Sequence, residues 1–321
     1  MLFNPAIQAL VDNPASLRAE QEIHASAFAR WRAEPAVLAL LDEFSSFAAG
    51  ASLTGLTCLA GLFDERGTAR AAMERMAAAL LPALATAPFG QVPLRHHVGP
   101  AATTLMLARE HDASLTLVAL DGTGVAAQGP ARSASFAPAE EWDVVLSGHG
   151  AGRLIEERDG TGLFHHPLAF APGMALGRDA AREALLVDRV DGTLLFLRLR
   201  RISSSCQPVR EVDLESGALL HQAEPSARES RHEIAVALLG AMGRADAAPV
   251  LAEIARDERH GRMLRWQALR QCLALDTLAG FRALAGLACR ADDALAVAAG
   301  ALRAQLIEQH PVLAGIEPCP A

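Results

Sequence analysis

The chain contains no tyrosine, and all 29 of its basic residues are arginine. The absence of lysine excludes a lysine Schiff base and a Walker-type phosphate-binding lysine. An all-arginine basic set reads first as the codon signature of a GC-rich, bacterial genome. Aromatic residues make up only 4% of the sequence, and asparagine occurs only as Asn4 and Asn13. Cys58, Cys206, Cys272, Cys289 and Cys319 are odd in number and scattered, with no Cys-x-x-Cys among them. That usage fits free thiols in a reducing cytoplasm. The net charge is −8 and no basic run exceeds a few residues, which disfavours nucleic acid as the main partner, because phosphate neutralisation needs a clustered positive face. There is no G-x-S-x-G nucleophile elbow and no glycine pattern opening a helix after a strand. Met1–Ala6 has no basic region ahead of an apolar stretch and does not read as a signal peptide. Ser45 to Phe63 is uncharged over nineteen residues, but Gly50, Gly55 and Gly61 interrupt it and it lacks basic flanks. It reads as a buried helical segment and not as a membrane span.

What the chain does have is length and apolar content: 321 residues, 51% hydrophobic, enough for two or three domains. Residues 1–92 read as helices. Asn13-Pro14 is a cap followed by proline at the first helical position. Val37, Leu40, Leu41, Phe44 and Phe47 form one helical stripe, and Ala69, Met73, Met76, Leu80 and Leu84 form another. From 93 to 224 the period becomes two, with strand-like runs at Thr103–Arg109, Ser114–Leu120, Trp142–Ser147, Arg153–Arg158, Gly162–His166, Ala184–Val190 and Thr193–Leu199. Gln128–Ala139 reads as a loop, and Val209–His221 as one or two closing strands around Ser216-Gly217. From 225 to 321 the helical period returns.

Asp-Gly favours the positive φ of tight hairpin turns. Asp121-Gly122-Thr123, Asp159-Gly160-Thr161 and Asp191-Gly192-Thr193 are therefore each expected to close a hairpin. With two-residue turns, Ile155 would face Phe164, Leu154 would face His165 and Arg153 would face His166. In the third hairpin Val187 would face Phe196 and Glu183 would face Arg200.

Trp142-Asp-Val-Val-Leu-Ser-Gly-His-Gly150, then Leu168-Ala-Phe-Ala-Pro-Gly173 before a short strand, then the following hairpin, resemble the cupin fold. The resemblance covers roughly residues 94 to 222. It implies an antiparallel β-barrel or sandwich. It does not bring the family's metal site, because the first motif's His-x-His is missing and both asparagines lie elsewhere. Ala237-Leu-Leu, Ala268-Leu-Arg and Ala301-Leu-Arg recur at spacings near the length of a solenoid unit. Residues 228 to 310 accordingly resemble HEAT-type repeats, with Leu238, Met242, Leu269, Leu273 and Leu302 expected to face inward. The fold class is thus α+β: N-terminal helices, a central antiparallel cupin-like β-domain and C-terminal α-helical repeats.

Histidine is the richest source of chemistry. His96-His97 and His165-His166 are adjacent pairs on strands, and alternation lets each pair turn only one imidazole inward. Arg153, Glu156, His165 and His166 are the candidate ligand-binding residues. His96, His97, His165 and Glu156 are the alternative set for a divalent metal such as iron or zinc. No cofactor is expected otherwise, since strand alternation gives neither face of the hairpin three ligands. Arg178, Arg182, Arg198 and Arg200 could line an anion site. The leading reading is a cytoplasmic, non-catalytic binding or regulatory protein, with a small molecule or peptide in the β-domain and a protein partner on the helices. A metal-dependent cupin-type oxygenase or isomerase, and a purely structural interaction module, are the alternatives. Neither nucleic acid nor membrane is expected as a partner.

Overall fold

The computed structural model describes residues 14–64, 67–158, 162–203, 207–223 and 227–316. They fall into two compact units, one within Met1–Ser203 and Glu211–Leu220, the other within Ser204–Arg210 and His221–Ala321. The architecture is α+β, as expected, but the β-sheet is open and not a closed barrel.

The first unit begins with α1 (Pro14–Arg32) and α2 (Pro35–Ala48), then α3 (Thr57–Ala60) between two 3-10 turns, then α4 (Thr68–Thr86). Asn13, the expected cap, lies outside the described residues. Pro35 occupies the first turn of α2, where its missing N–H would have had no helical partner anyway. The uncharged stretch from Ser45 is broken into the end of α2, the two short turns and α3. Among the described residues, no helix is long and apolar enough to cross a membrane. The helical stripes bury Phe44, Phe47, Ala69, Met76 and Leu80, whereas Leu84 is exposed. These side chains form one core with Leu107, Leu115, Val144, Leu197 and Leu199 of the sheet. The Phe47 ring meets Trp142 edge-on at 5.6 Å. Arg201 lies over the face of the Phe47 ring at 4.2 Å and donates to the carbonyls of Phe47 (2.7 Å) and Ala51 (2.8 Å). The Phe47 carbonyl also accepts the Gly50 N–H at 3.0 Å, so Arg201 adds a charge-assisted bond at the C-terminal end of α2, where the helix dipole favours a cation.

The strands are β1 (Arg95–Val98), β2 (Ala102–Glu110), β3 (Ala113–Asp121), β4 (Ser133–Phe136), β5 (Ala139–Arg158), β6 (Gly162–Phe170), β7 (Ala175–Asp179), β8 (Glu183–Ile202), β9 (Val209–Asp213) and β10 (Leu219–Ala223), with α5 (Gly122–Gln128) after β3. The main sheet runs β1-β2-β3-β8-β5-β6, with β7 also paired to β5, and a second sheet runs β10-β9-β4. Ala134, Phe136 and Val212 of the second sheet pack on Ile155 and Ala184 of the first. β4 falls where the sequence reads as a loop. Its small, polar Ser-Ala-Ser gives little strand signal, although Ala134 and Phe136 point into this core.

Of the three Asp-Gly-Thr segments, one joins a hairpin. β5 and β6 pair from Arg158↔Gly162 onward, across a three-residue connection that lies outside the described residues. The extra residue slips the expected register by one: Ile155 faces His165, Leu154 faces His166 and Arg153 faces Pro167. Asp121 instead caps α5, its Oδ2 accepting the Gly124 N–H at 2.7 Å, the usual service of an N-cap carboxylate. Asp191-Gly192-Thr193 lies inside β8. Gly192 has the positive φ expected of it, +77°, but β8 runs through it for 20 residues, pairing with β5 on either side of it. Val187 therefore faces Gly152, and Glu183 faces Glu156.

β5 and β8 bend together there. Their register shifts at Val145/Ser147, Ser147/His149 and Ala151/Gly152, the mark of β-bulges. As a result, β5 curls. A straight strand of its length would span about 65 Å. Yet Ala180 donates its N–H to Ala139 O, and Glu157 donates its N–H to Arg182 O, both at 2.8 Å. The two ends of β5 meet one short turn.

The second unit contains α6 (Ala227–Ala241), α7 (Ala248–Arg256), α8 (Arg262–Leu275), α9 (Thr277–Ala288) and α10 (Ala296–Gln309). Its core gathers Val236, Leu251, Leu264, Leu269, Cys272, Phe281 and Leu284, with Leu273 and Leu302 against it. Leu238 and Met242, expected inward, are exposed, whereas Val236 of α6 is buried. No strand occurs between 232 and 300, all of which are described residues. Asp276 caps α9 by accepting Ala279 N–H at 3.0 Å. Asp293 pairs with buried Arg265 and accepts Leu295 N–H.

The bend makes a test. A Cβ at Gly148 (φ +90°) would lie 2.1 Å from Thr193 O, whereas one at Gly192 meets nothing within 4 Å. Gly192→Val is expected to cost ~1–3 kcal/mol from backbone strain alone. Gly148→Val is expected to cost more, since backbone must also move. Urea unfolding of the two variants checks the order, and equal stabilities would contradict it.

Candidate functional site

Period-two alternation sends Glu141 and Asp143 of β5 to the same face of the sheet as Arg198 and Arg200 of β8 and Arg178 of β7. Glu141 stands opposite both Arg178 and Arg200, and Asp143 stands opposite Arg198. Trp142, Val144, Leu197 and Leu199 point the other way, into the helix-covered core. The charged residues therefore continue the face that carries Val118, Val145 and Phe196.

Arg198 holds Asp143 in a fork, from Nε at 2.7 Å and Nη2 at 3.1 Å. Arg178 bridges the two acids, donating Nη1 to Asp143 Oδ2 at 2.5 Å and Nη2 to Glu141. Arg200 Nε lies 3.1 Å from Glu141 Oε1, close enough for ionic attraction but not aligned as a hydrogen bond. Glu141, Asp143 and Arg178 are buried, whereas the side chains of Arg198 and Arg200 keep 29% and 34% of their surface exposed. The acids and Arg178 form a floor, and the other two guanidiniums stand toward solvent. Burial by itself would raise the Asp143 carboxyl, but Arg198 and Arg178 outweigh it and hold that carboxyl below its usual range.

Three guanidiniums face two carboxylates, so one positive charge is in excess. The buried Nε atoms of Arg178 and Arg200 have no hydrogen-bond acceptor. Burying ions is costly unless every partner is satisfied. An arrangement of this kind can hold an anion. It cannot exchange protons readily, because guanidinium does not give up its proton near neutral pH and Asp143 is held ionised.

The residues expected from the sequence divide otherwise. Arg153 donates to both oxygens of Asp188 at 2.8 Å and lies 3.4 Å from His165 Nδ1. Glu156 accepts two bonds from Arg158 at 2.8 Å and lies 3.0 Å from His166 Nε2. Arg158 and His166 hold its carboxyl down to about 2. The slipped register thus gives Glu156 to His166 and not to His165. Arg153 with His165, and Glu156 with His166, occupy opposite faces of the hairpin. His96 and His97 lie on the exposed edge strand β1, at the other end of the sheet order from β6. The set His96, His97, His165 and Glu156 is not brought together as metal ligands. Of the four arginines considered for an anion site, Arg178, Arg198 and Arg200 converge, and Arg182 sits in the turn before β8. The sequence reading missed Glu141 and Asp143. The available signal was Glu-x-Asp and Arg-x-Arg, matching two-residue alternations on two strands.

No family model matches the chain, and no curated protein matches it. Among solved structures it is similar to CapF (TM-score 0.27, 11% identity, 36% of this chain and 32% of that one). It is similar to HutD from Pseudomonas fluorescens (TM-score 0.26, 10% identity, 35% of this chain and 58% of that one). It is also similar to a cupin superfamily protein from Desulfitobacterium hafniense (TM-score 0.23, 11% identity, 33% of this chain and 83% of that one). The chain spans less than two thirds of CapF and of HutD. Likenesses of this size carry no argument about a site or an activity.

Asp143→Asn is expected to destabilise the protein by ~3–5 kcal/mol near neutral pH, because it removes the charge that buried Arg178 and partly exposed Arg198 share. The folded-state pKa of Asp143 is depressed, so its contribution is present above the ordinary carboxylate value of about 4 and is lost as pH falls through the lower folded value. Denaturant titrations from pH 7 downward should show the gap between wild type and variant closing below about pH 4. A gap independent of pH would contradict this.

Proposed function

We propose that the protein is a non-catalytic, cytoplasmic binding protein whose curled, cupin-like sheet holds a small carboxylate-bearing molecule against Arg198 and Arg200. The observation that carries this is the uncompensated positive charge on the sheet face, with two guanidinium N–H groups lacking acceptors. A carboxylate would offset the excess charge at the partly exposed guanidiniums of Arg198 and Arg200, since guanidinium binds carboxylates through charge-assisted bonds. The partly exposed pair is the reachable part of the cluster. The metal-dependent oxygenase or isomerase reading would need ligands from β1 and β6 that lie on opposite edges of the sheet.

The helical unit is the proposed seat of a protein partner, through stacked, HEAT-like helices. Ile234, Leu238 and Met242 support this. They recur every fourth residue along and just past α6 and are 66%, 56% and 58% exposed. An apolar row of that kind on a helix is the usual anchor for another chain.

Calorimetric titration with succinate, citrate and inorganic phosphate tests the ligand class. One saturable carboxylate site per chain is expected, weakening with added salt. Arg200→Gln should lower affinity about 10- to 100-fold, the equivalent of one lost charge-assisted bond. Saturable binding that is indifferent to Arg198→Gln and Arg200→Gln would overturn the assignment. So would no binding of any anion, which would leave the structural interaction module.

A further inference from the structure

A second cluster of functional side chains lies within the helical unit and contains none of the histidines singled out in the sequence. Glu229 and His232 occupy positions i and i+3 near the start of α6, so they share one face of that helix. His260 comes from the loop between α7 and α8. One ligand atom from each of the three lies within 4.8 Å of the other two, and all three residues are half-buried.

The cluster is held from outside. Glu229 places Oε1 3.0 Å from His260 Nδ1 and accepts the Gly261 N–H on Oε2 at 2.9 Å. The imidazoles of His232 and His260 meet edge-to-face, with centroids 6.2 Å apart. On the far side of His260, Nε2 lies 3.9 Å from Asp257 Oδ2. Asp257 is itself gripped by Arg259 through contacts of 2.7–3.1 Å. At that distance Asp257 is an electrostatic neighbour and not a hydrogen-bond partner of the ring, and its negative charge favours positive charge at the cluster. A single carboxylate–imidazole contact is enough to tie a helix to a loop. The second imidazole adds nothing to such a tie, but it completes a set of donors.

We propose that Glu229, His232 and His260 bind a divalent transition-metal ion. Two imidazoles and a carboxylate suit zinc or ferrous iron and do not suit magnesium or calcium, which prefer all-oxygen ligands. Three protein ligands leave room for water or an exogenous ligand. His260 and Asp257 also line an open groove of about 750 Å³ with Arg256, Arg259, Cys289 and Arg290, so a ligand could reach the ion from that side. The expectation of no cofactor came from counting donors on the β-strands alone. His232 and His260 are 28 residues apart in sequence, in no recognised ligand spacing, and only the fold brings them together.

The test uses the full chain purified without a histidine tag and stripped with chelator. Titration with Co²⁺, followed by its visible absorption, and with Zn²⁺, followed by calorimetry, should each give one equivalent per chain. His232→Ala and His260→Ala should each weaken binding at least about tenfold, while His165→Ala with His166→Ala should leave it unchanged. Zn²⁺ should raise the melting temperature of wild type but not of His232→Ala, and circular dichroism of the metal-free variants establishes that they are folded. Where a variant fails to fold, the paramagnetic shifts that Co²⁺ imposes on wild-type histidine ring protons decide instead, and they are expected at His232 and His260. Absence of stoichiometric binding, shifts at other histidines only, or binding retained in the folded His232→Ala/His260→Ala variant would overturn the proposal. Each of these readouts is independent of carboxylate binding at the arginine cluster.

Discussion

The first unit depends on the paired bend of β5 and β8. Both strands are 20 residues long, several times the usual strand length, and straight strands of that size would leave a flat, edge-exposed sheet. Three register shifts between them and the positive φ of Gly148 and Gly192 turn the pair through itself. The return segment then lies along one edge of β5, β6 beside its second half and β7 beside its first. That path sets Arg178 beside Glu141. Without the bend, β7 would not reach the acids, and the N-terminal helices would lack the curved face they cover.

The sheet separates two kinds of chemistry by alternation alone. One face of β5 and β8 presents Trp142, Val144, Leu197 and Leu199 to Phe47 and its neighbours. The other presents Glu141, Asp143, Arg198 and Arg200. Each fully buried large apolar side chain contributes about 1.5–3 kcal/mol, so the helix-covered face can offset a costly charged face on the same strands. Arg201 shows how strictly the alternation holds. It is the next residue after Arg200, yet it stacks on Phe47 and closes the end of α2.

Much of the fold was legible in the sequence, and the misses share a cause. The helical stripe through Phe44 and Phe47, the strands β2 and β3 and the change of period near residue 93 follow from local pattern. Asp191-Gly192 illustrates the limit: the dipeptide correctly signalled positive φ, but that backbone serves a bend as well as a reversal, and only long-range pairing tells the two apart. Leu238 and Met242 lie on a helical stripe that periodicity assigned to a core, and the fold leaves them outside. The site was less legible than the fold. Arg178, Arg198 and Arg200 were visible as candidates, but the acids that organise them, Glu141 and Asp143, were not singled out. Glu156 and His165 were paired in a register that one extra loop residue then displaced.

Bromide is a small anion whose position can be located directly by its anomalous X-ray scattering, and it would probe the unbalanced charge whatever the natural ligand is. In crystals soaked briefly in bromide, the strongest anomalous peak on the first unit should lie between the guanidiniums of Arg198 and Arg200. It should vanish in Arg200→Gln crystals while the remaining peaks persist. Peaks elsewhere on the surface with none between these two arginines would contradict an anion-binding role for the cluster.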